Sequence, residues 1–110
     1  MMMRVYRCTV IEGRETEFRE FAFGKSHPWL RSRPGLVAFY GGRPLPTSTD
    51  RTRCMVQLWE SANALRAAIG DNWEQQPQLA DEVRGFIDRA WVEHYEVADE
   101  FRAGAEPPVQ

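Results

Sequence analysis

The sequence predicts one α+β domain in which strands and helices follow the order β-α-β-β-α-β. Short runs rich in β-branched and aromatic residues alternate with runs whose apolar residues recur at three- and four-residue spacing. Gly and Pro residues separate these runs, and no repeat or linker divides the chain. We therefore expect a single domain over residues 1–98 and a C-terminal tail, 99–110, that is frayed or contacts a partner.

The first strand and helix account for the N-terminal third. Residues 4–11, RVYRCTVI, predict a strand, and Glu12-Gly13 predicts the turn that follows it. From Arg14 onward, helical spacing relates Phe18, Phe21, Ala22, Lys25 and Trp29. Because Pro28 lacks a backbone donor and crowds the carbonyl four residues earlier, we expect a kink or restart there. The sequence RPG at 33–35 ends the element.

The remaining elements complete the sheet. Residues 36–42 and 53–59 predict the second and third strands, and 91–97, WVEHYEV, predicts the fourth. Ser61 is expected to cap a helix that ends at Gly70. A further helix is predicted beyond Pro77 from the spacing of Leu79, Val83, Phe86, Ile87 and Ala90. This order is that of the ferredoxin-like fold, an antiparallel sheet with helices on one face.

The sheet face without helices is expected to bind a second copy of the chain. Both faces of the predicted strands contain apolar residues. Met55, Trp59 or Trp91 on a face open to water would create an apolar patch of the kind that marks interfaces. We therefore expect a homodimer through the sheet faces.

Composition excludes several classes of function. Fourteen basic and sixteen acidic residues give a net charge of -2, so nucleic acid is not an expected partner. No apolar segment has the length of a signal-peptide core or a membrane span, and we expect a cytoplasmic protein without membrane contact. Cys8 and Cys54 lie in separate strands and neither is near a histidine, so we predict free thiols and no metal site or cofactor.

Four local sequences together resemble one known family. They are EGRETEFREF after the first strand, RPGLVAFYGGR entering the second, VQLWESANALRAAI after the third, and the closing WVEHYEV. This combination resembles the antibiotic biosynthesis monooxygenase-like family of dimeric α+β barrels, over roughly residues 4–97. These motifs specify turns, caps and core rather than a catalytic group, so the resemblance implies a fold more strongly than a reaction.

The resemblance implies a cofactor-independent monooxygenase that acts on an aromatic, phenolic or quinol-type small molecule. Such oxygenases deprotonate an electron-rich phenol or anthrone, and the anion passes an electron to dioxygen. This chemistry needs an apolar cavity between sheet and helices, a donor to the developing oxyanion and a base that titrates near neutral pH. A non-catalytic dimeric domain that binds a small ligand is an alternative.

A haem-binding or haem-degrading relative is a further alternative implied by the resemblance. Such relatives use an asparagine on the first strand, a tryptophan in the helix after the third strand, and a histidine some ten residues later. In this chain those positions fall near Tyr6, Ala68 and 76–78, where the three residue types are absent. Iron would therefore need another ligand.

Aromatic and titratable side chains provide the candidate site. His27, in KSHPW, is the candidate catalytic base because an imidazole beside a helix kink titrates near neutral pH, and the alternative is a surface histidine. The candidate substrate-pocket residues are Tyr6, Trp29, Tyr40, Trp73 and Tyr95. Trp59 is interpreted as core, whereas Trp73 is either core or a lid. His94 and Tyr95 must face opposite sides of the sheet, and Tyr95 is the expected pocket residue.

Arginines in and beside the strands have simpler interpretations. Arg7 is expected to pair with Glu93 or Glu96, preferably across a dimer, with contact to an anionic substrate as the alternative. A solvated strand edge is the interpretation for Arg43, Arg51 and Arg53.

Overall fold

A computed structural model describes residues 1–75, 77 and 81–104 and shows a four-stranded antiparallel sheet in the order β2-β3-β1-β4. The strands are β1 (Met2–Val10), β2 (Leu36–Gly42), β3 (Thr52–Trp59) and β4 (Ile87–Glu96). The helices are α1 (Glu15–Phe21), α2 (His27–Arg31) and α3 (Ala62–Ile69), with a π-helical segment at Ala22–Ser26 and a 3₁₀ turn at Asp81–Gly85. The predicted α+β ferredoxin-like class is confirmed.

The register of the sheet decides which residues face the helices. Tyr6 on β1 lies opposite Met55 on β3 and opposite Val92 on β4. Side chains of paired residues point to the same face, and neighbours along a strand point to opposite faces. The β1 residues on the helix-covered face are therefore Met2, Arg4, Tyr6, Cys8 and Val10.

Two apolar clusters hold the helix-covered face together. One contains Met2, Leu30, Trp59 and Leu65, and the other contains Cys8, Val83, Phe86 and Ile87. Trp59 is completely buried, and its indole Nε1 donates to Gln57 Oε1 at 3.0 Å. The interpretation of Trp59 as a core residue is confirmed.

The helical region between β1 and β2 changes its winding before Pro28, as the sequence predicts. The π-helical segment follows α1, and α2 starts at His27 with Pro28 in its first turn. The backbone stays helical through Ser26 and His27, and the His27 N–H donates to the Ala22 carbonyl five residues earlier, so Pro28 directly follows π-type winding rather than a free helix end. His27 is therefore the first residue of α2.

The start of β4 differs from the sequence prediction. Leu79 lies outside the described residues, and the helix predicted from Val83 to Ala90 is instead the 3₁₀ turn followed by a strand. Ile87 and Ala90 lie opposite Val10 and Cys8 of β1. Pairing with the central strand therefore outweighs the helical spacing of these residues.

The open face of the sheet is partly apolar, but it is not built from the residues expected. Met55 and Trp59 belong to the helix-covered face, so that expectation was wrong for both. Residues on the open face include Met3, Val5, Tyr40, Val56, Leu58, Trp91 and Tyr95. In the described part of the chain, no helix has the length and apolar composition needed to cross a lipid bilayer.

Candidate functional site

A cavity of about 860 Å³ lies between the helix-covered face of the sheet and the α1, π-helical and α2 region. Its size falls in the range of roughly 300–1,000 Å³ that is typical of small-molecule sites. The aromatic side chains that line it are Tyr6, Phe18, Phe21, Phe23, Trp29 and Phe39. The cavity is therefore suited to a planar aromatic ligand.

His27 borders this cavity at the start of α2. Its ring centroid lies 4.9 Å from that of Phe23 and 5.1 Å from that of Phe39. Partial burial lowers the pKa of His27 below its ordinary value, and the nearby positive charge of Arg31 lowers it further. The imidazole is therefore neutral at pH 7 and able to accept a proton.

Tyr6 lines the cavity from the central strand, two residues before the buried Cys8. Burial raises the pKa of Tyr6 far above its ordinary value, and the neighbouring Cys8 thiol raises it further. The Tyr6 hydroxyl therefore stays protonated at neutral pH and can donate a hydrogen bond to a ligand oxygen.

The structure separates the predicted pocket residues into two groups. Tyr6, Trp29 and His27 line the cavity. Tyr40 and Tyr95 lie on the open face, where their side chains are 66% and 49% exposed, so their assignment to this cavity was wrong. The alternation of a strand explains both positions, because each tyrosine neighbours a residue on the helix-covered face.

Trp73 does not line the cavity but packs against the cluster around Trp59. Its ring makes an edge-to-face contact with His94, with 4.9 Å between the centroids. Of the two interpretations offered by the sequence, the structure favours core over lid. The strand faces of His94 and Tyr95 are also the reverse of the preferred assignment, since His94 is the one on the helix-covered side.

Arg4 is a cavity residue that the sequence analysis missed. It is only 2% exposed, and its Nη1 donates to the Trp73 carbonyl at 2.7 Å and lies 2.9 Å from His94 Nε2. Because a guanidinium only donates, His94 Nε2 is the acceptor and its proton is on Nδ1. Burial lowers the pKa of Arg4 to about 10, so Arg4 remains charged at pH 7. The signal available in the sequence was its two-residue spacing from Tyr6 on the same strand face.

The cavity lining is strongly basic. Its cationic side chains are Arg4, Arg19, Lys25, Arg31, Arg43 and Arg53, whereas Glu82 is its one acidic residue among those described. The Lys25 ammonium lies 2.9 Å from Glu82, so this pair neutralises itself. The solvated-edge interpretation was wrong for Arg53, which is half-buried on the inner strand β3, whereas Arg43 is exposed directly after the edge strand β2, as that interpretation expects.

Other candidate charges are engaged elsewhere. Arg7 lies on the open face and pairs with Glu93 of the same chain at 2.9 Å, which agrees with the expected partner but not with a bridge across a dimer. Arg51 donates to the Val10 carbonyl at 2.6 Å. Within residues 1–75, 77 and 81–104, no group of three or more His, Cys, Asp or Glu side chains could hold a metal ion.

Solved structures share this architecture. SnoaB, a cofactor-independent oxygenase from Streptomyces nogalater, superposes with a TM-score of 0.68 at 20% identity, covering 90% of this chain and 94% of SnoaB. A proposed antibiotic biosynthesis monooxygenase from Deinococcus radiodurans gives a TM-score of 0.71 at 10% identity, covering 96% of this chain and all of the other. The fold is that of the antibiotic biosynthesis monooxygenase-like proteins.

The same fold also occurs in a haem degrader. MhuD from Mycobacterium tuberculosis, solved with two haems in its active site, gives a TM-score of 0.66 at 20% identity, covering 93% of this chain and all of MhuD. No family model matches the sequence, and no curated protein sequence matches it either. At these identities the likeness establishes the fold, and the reaction must be argued from the cavity.

Proposed function

We propose that this chain is a cofactor-independent monooxygenase that oxidises a phenolic, anthrone or quinol-type aromatic molecule. The observation that supports this proposal is the aromatic-lined cavity of about 860 Å³, bordered by a neutral imidazole and a protonated phenol. The similarity in fold to the oxygenase SnoaB agrees with it. We also propose that the protein works in the cytoplasm, a reducing compartment that is compatible with its two free thiols.

In this mechanism His27 takes a proton from the substrate, and the Tyr6 hydroxyl donates to the oxyanion that develops on the aromatic ring. The substrate anion gives one electron to dioxygen, and the substrate radical and superoxide combine into a peroxide anion. This anion takes back the proton held by His27 and becomes a hydroperoxide. Loss of water then converts an anthrone methylene to a quinone carbonyl. One oxygen atom enters the product and the other leaves in water, so no external reductant is needed.

Oxygen consumption with a dihydroxyanthrone as the substrate tests the proposal. The His27→Gln variant removes the base, and we expect its rate above the uncatalysed background to fall about 100-fold, as is typical for loss of a general base. In the wild-type protein kcat/KM is expected to rise with pH through a pKa below the ordinary histidine value and to level off by neutral pH.

His94→Gln is the matched control. His94 lies on the helix-covered face of the sheet, as the cavity does, but it does not line the cavity. Its rate should stay close to that of the wild type. Equal losses in the two variants would show that His27 does not act as the base. No consumption by the wild type across anthrones and quinols would favour a domain that binds without reacting.

Haem binding is the second candidate, favoured by the presence of one imidazole, His27, at the cavity border. His94 is a poor ligand because its Nε2 already accepts from Arg4. Bound haem would supply iron for dioxygen activation, with His27 as the residue that holds it. Titration with haem should then give a Soret band that shifts or disappears in His27→Gln. An unchanged band in this variant would exclude His27 as the iron ligand.

We also propose that the open sheet face pairs with a second copy of the chain. Val5 and Val56 lie opposite each other at the centre of this face, with Leu58 beside them and Trp91 on β4. A large apolar patch on a protein surface usually marks a site of interaction with another molecule.

A further inference from the structure

The basic character of the cavity is not a reflection of the whole chain. The full sequence has a net charge of -2, yet six cationic side chains and one carboxylate line the cavity in the described residues. Lys25 and Glu82 neutralise each other, and Arg4 is held by Trp73 and His94. The excess positive charge that remains is at Arg19, Arg31, Arg43 and Arg53.

Arg53 lies on β3, and Arg43 is the residue directly after the end of β2. The last pair of the β2–β3 ladder is Gly42 with Cys54, so continuing that register by one residue places Arg43 across from Arg53. Like charges directly opposite each other on neighbouring strands are unfavourable. Among the ion pairs of the described residues, no carboxylate partners either guanidinium.

Arg53 is also positioned for recognition of a ligand. It is half-buried, and its guanidinium carbon lies 5.0 Å from the centroid of the Phe18 ring. Stacking on an aromatic face restricts the guanidinium plane and leaves its N–H groups free to bind a carboxylate with two parallel hydrogen bonds. Phe18 itself lines the cavity, so the charged site adjoins the aromatic one.

We infer that the ligand is an aromatic carboxylic acid whose carboxylate binds between Arg43 and Arg53 while its ring system occupies the aromatic part of the cavity. An anion at this place removes the repulsion between the two arginines and fixes the orientation of the ring. The inference rests on the proposed function, which places the aromatic ring of the substrate in the cavity. To that function it adds a carboxylate as a required group of the substrate.

Calorimetric titration with two matched pairs of ligands tests this inference. One pair is a dihydroxyanthraquinone carboxylic acid and the corresponding hydroxymethyl compound, and the other is protoporphyrin and its dimethyl ester. The wild-type protein should bind the acid of at least one pair about tenfold more tightly than its uncharged partner, as expected for a charge-assisted contact. The pair that shows this preference identifies whether the carboxylate belongs to a phenolic ligand or to a tetrapyrrole.

Arg43→Met and Arg53→Met should each reduce the preference for the acid, and the double variant should abolish it. Arg66→Met is the matched control, since Arg66 on α3 pairs with Asp71 and does not line the cavity. The preference of the Arg66→Met protein for the acid over the uncharged ligand should equal that of the wild type. If Arg53→Met fails to fold, the exposed Arg43 still provides the test.

Equal affinity of the wild type for acid and uncharged partner in both pairs would overturn the inference. A preference that persists in the Arg43→Met/Arg53→Met protein would overturn it as well. Charge-dependent binding without oxygen consumption would contradict the monooxygenase and leave the carboxylate site standing. Oxygen consumption together with equal affinity for acid and uncharged ligands would support the monooxygenase and contradict the carboxylate site.

Discussion

Arg4 is a charged residue that serves as part of the core. Its guanidinium donates to the Trp73 carbonyl and to His94 Nε2, and so joins β1 and β4 to the turn after α3. Burial of such a group is tolerated because its donors are used. The spacing from Tyr6 places Arg4 on the same strand face, but it does not predict burial, since a charged residue near the end of a strand most often points to water. Tyr6 could be assigned, because its large apolar ring suits the covered face of a strand while its hydroxyl can serve a ligand.

Arg4→Ala is expected to lower the free energy of unfolding by about 2–4 kcal/mol, because it leaves the Trp73 carbonyl and His94 without their donor and opens a void. Urea unfolding of the variant measures this loss. Arg14→Ala, which removes an exposed ion pair with Glu17, should change the stability little. Similar losses in both variants would mean that the Arg4 contacts contribute no stability.

His94 should make the stability of the protein depend on pH. Burial and then the charge of Arg4 lower its pKa in the folded state, while Glu74 opposes this shift. As the pH falls below about 6.5, the unfolded chain binds a proton before the folded chain does, so stability declines with acidification. His27 shifts in the same direction.

Melting temperatures at about pH 7.5 and about pH 5.5 test this expectation. The wild type should melt at a lower temperature at the acidic pH. In His94→Gln, which keeps an acceptor for Arg4, the melting temperature should fall less between the two pH values. A variant with both histidines replaced by Gln should show the smallest difference. An unchanged difference in His94→Gln would remove His94 as a source of the pH dependence.

Local packing between elements determines how precisely the sequence predicts them. Ser61 was recognisable as a cap, and its Oγ accepts from the Ala64 N–H at 3.1 Å. The start of β4 was not recognisable as a strand, because Ile87 and Ala90 fit helical spacing. Only their pairing with β1 makes them part of a strand. Periodicity cannot detect a partner that is distant in sequence, so element types with local signals are predicted best.

The turn before β2 packs closely against α3 at Gly35, and a substitution there tests this contact. Gly35 has a φ of 83°, and a Cβ there would lie 2.5 Å from Ala64 Cβ of α3. Gly35→Ala should therefore add overpacking to backbone strain and cost about 2–4 kcal/mol. Gly13 has a similar φ of 86° but no atom within 4 Å of a Cβ, so Gly13→Ala should cost only about 1 kcal/mol. Equal losses in chemical denaturation would mean that α3 moves aside freely.

The whole molecule has two different sheet faces, and only one is covered by its own helices. The sequence predicted that both faces contain apolar residues, but it could not decide which face each strand presents. Register determines that choice, because shifting a strand by one residue exchanges its faces. This is why Met55 and Trp59 were placed with Trp91 although they face the helices.

The proposed pairing of open faces predicts the mass of the protein in solution. Light scattering should give twice the 12.7 kDa of the chain, because the apolar centre of this face gains most by leaving water. Val56→Arg places a charge at that centre and should yield a monomer. Thr16→Arg, on the exposed surface of α1, adds the same charge away from the face and should leave the dimer intact. A wild-type protein that remains a monomer at high concentration, or a Val56→Arg dimer, would show that this face does not join the two copies.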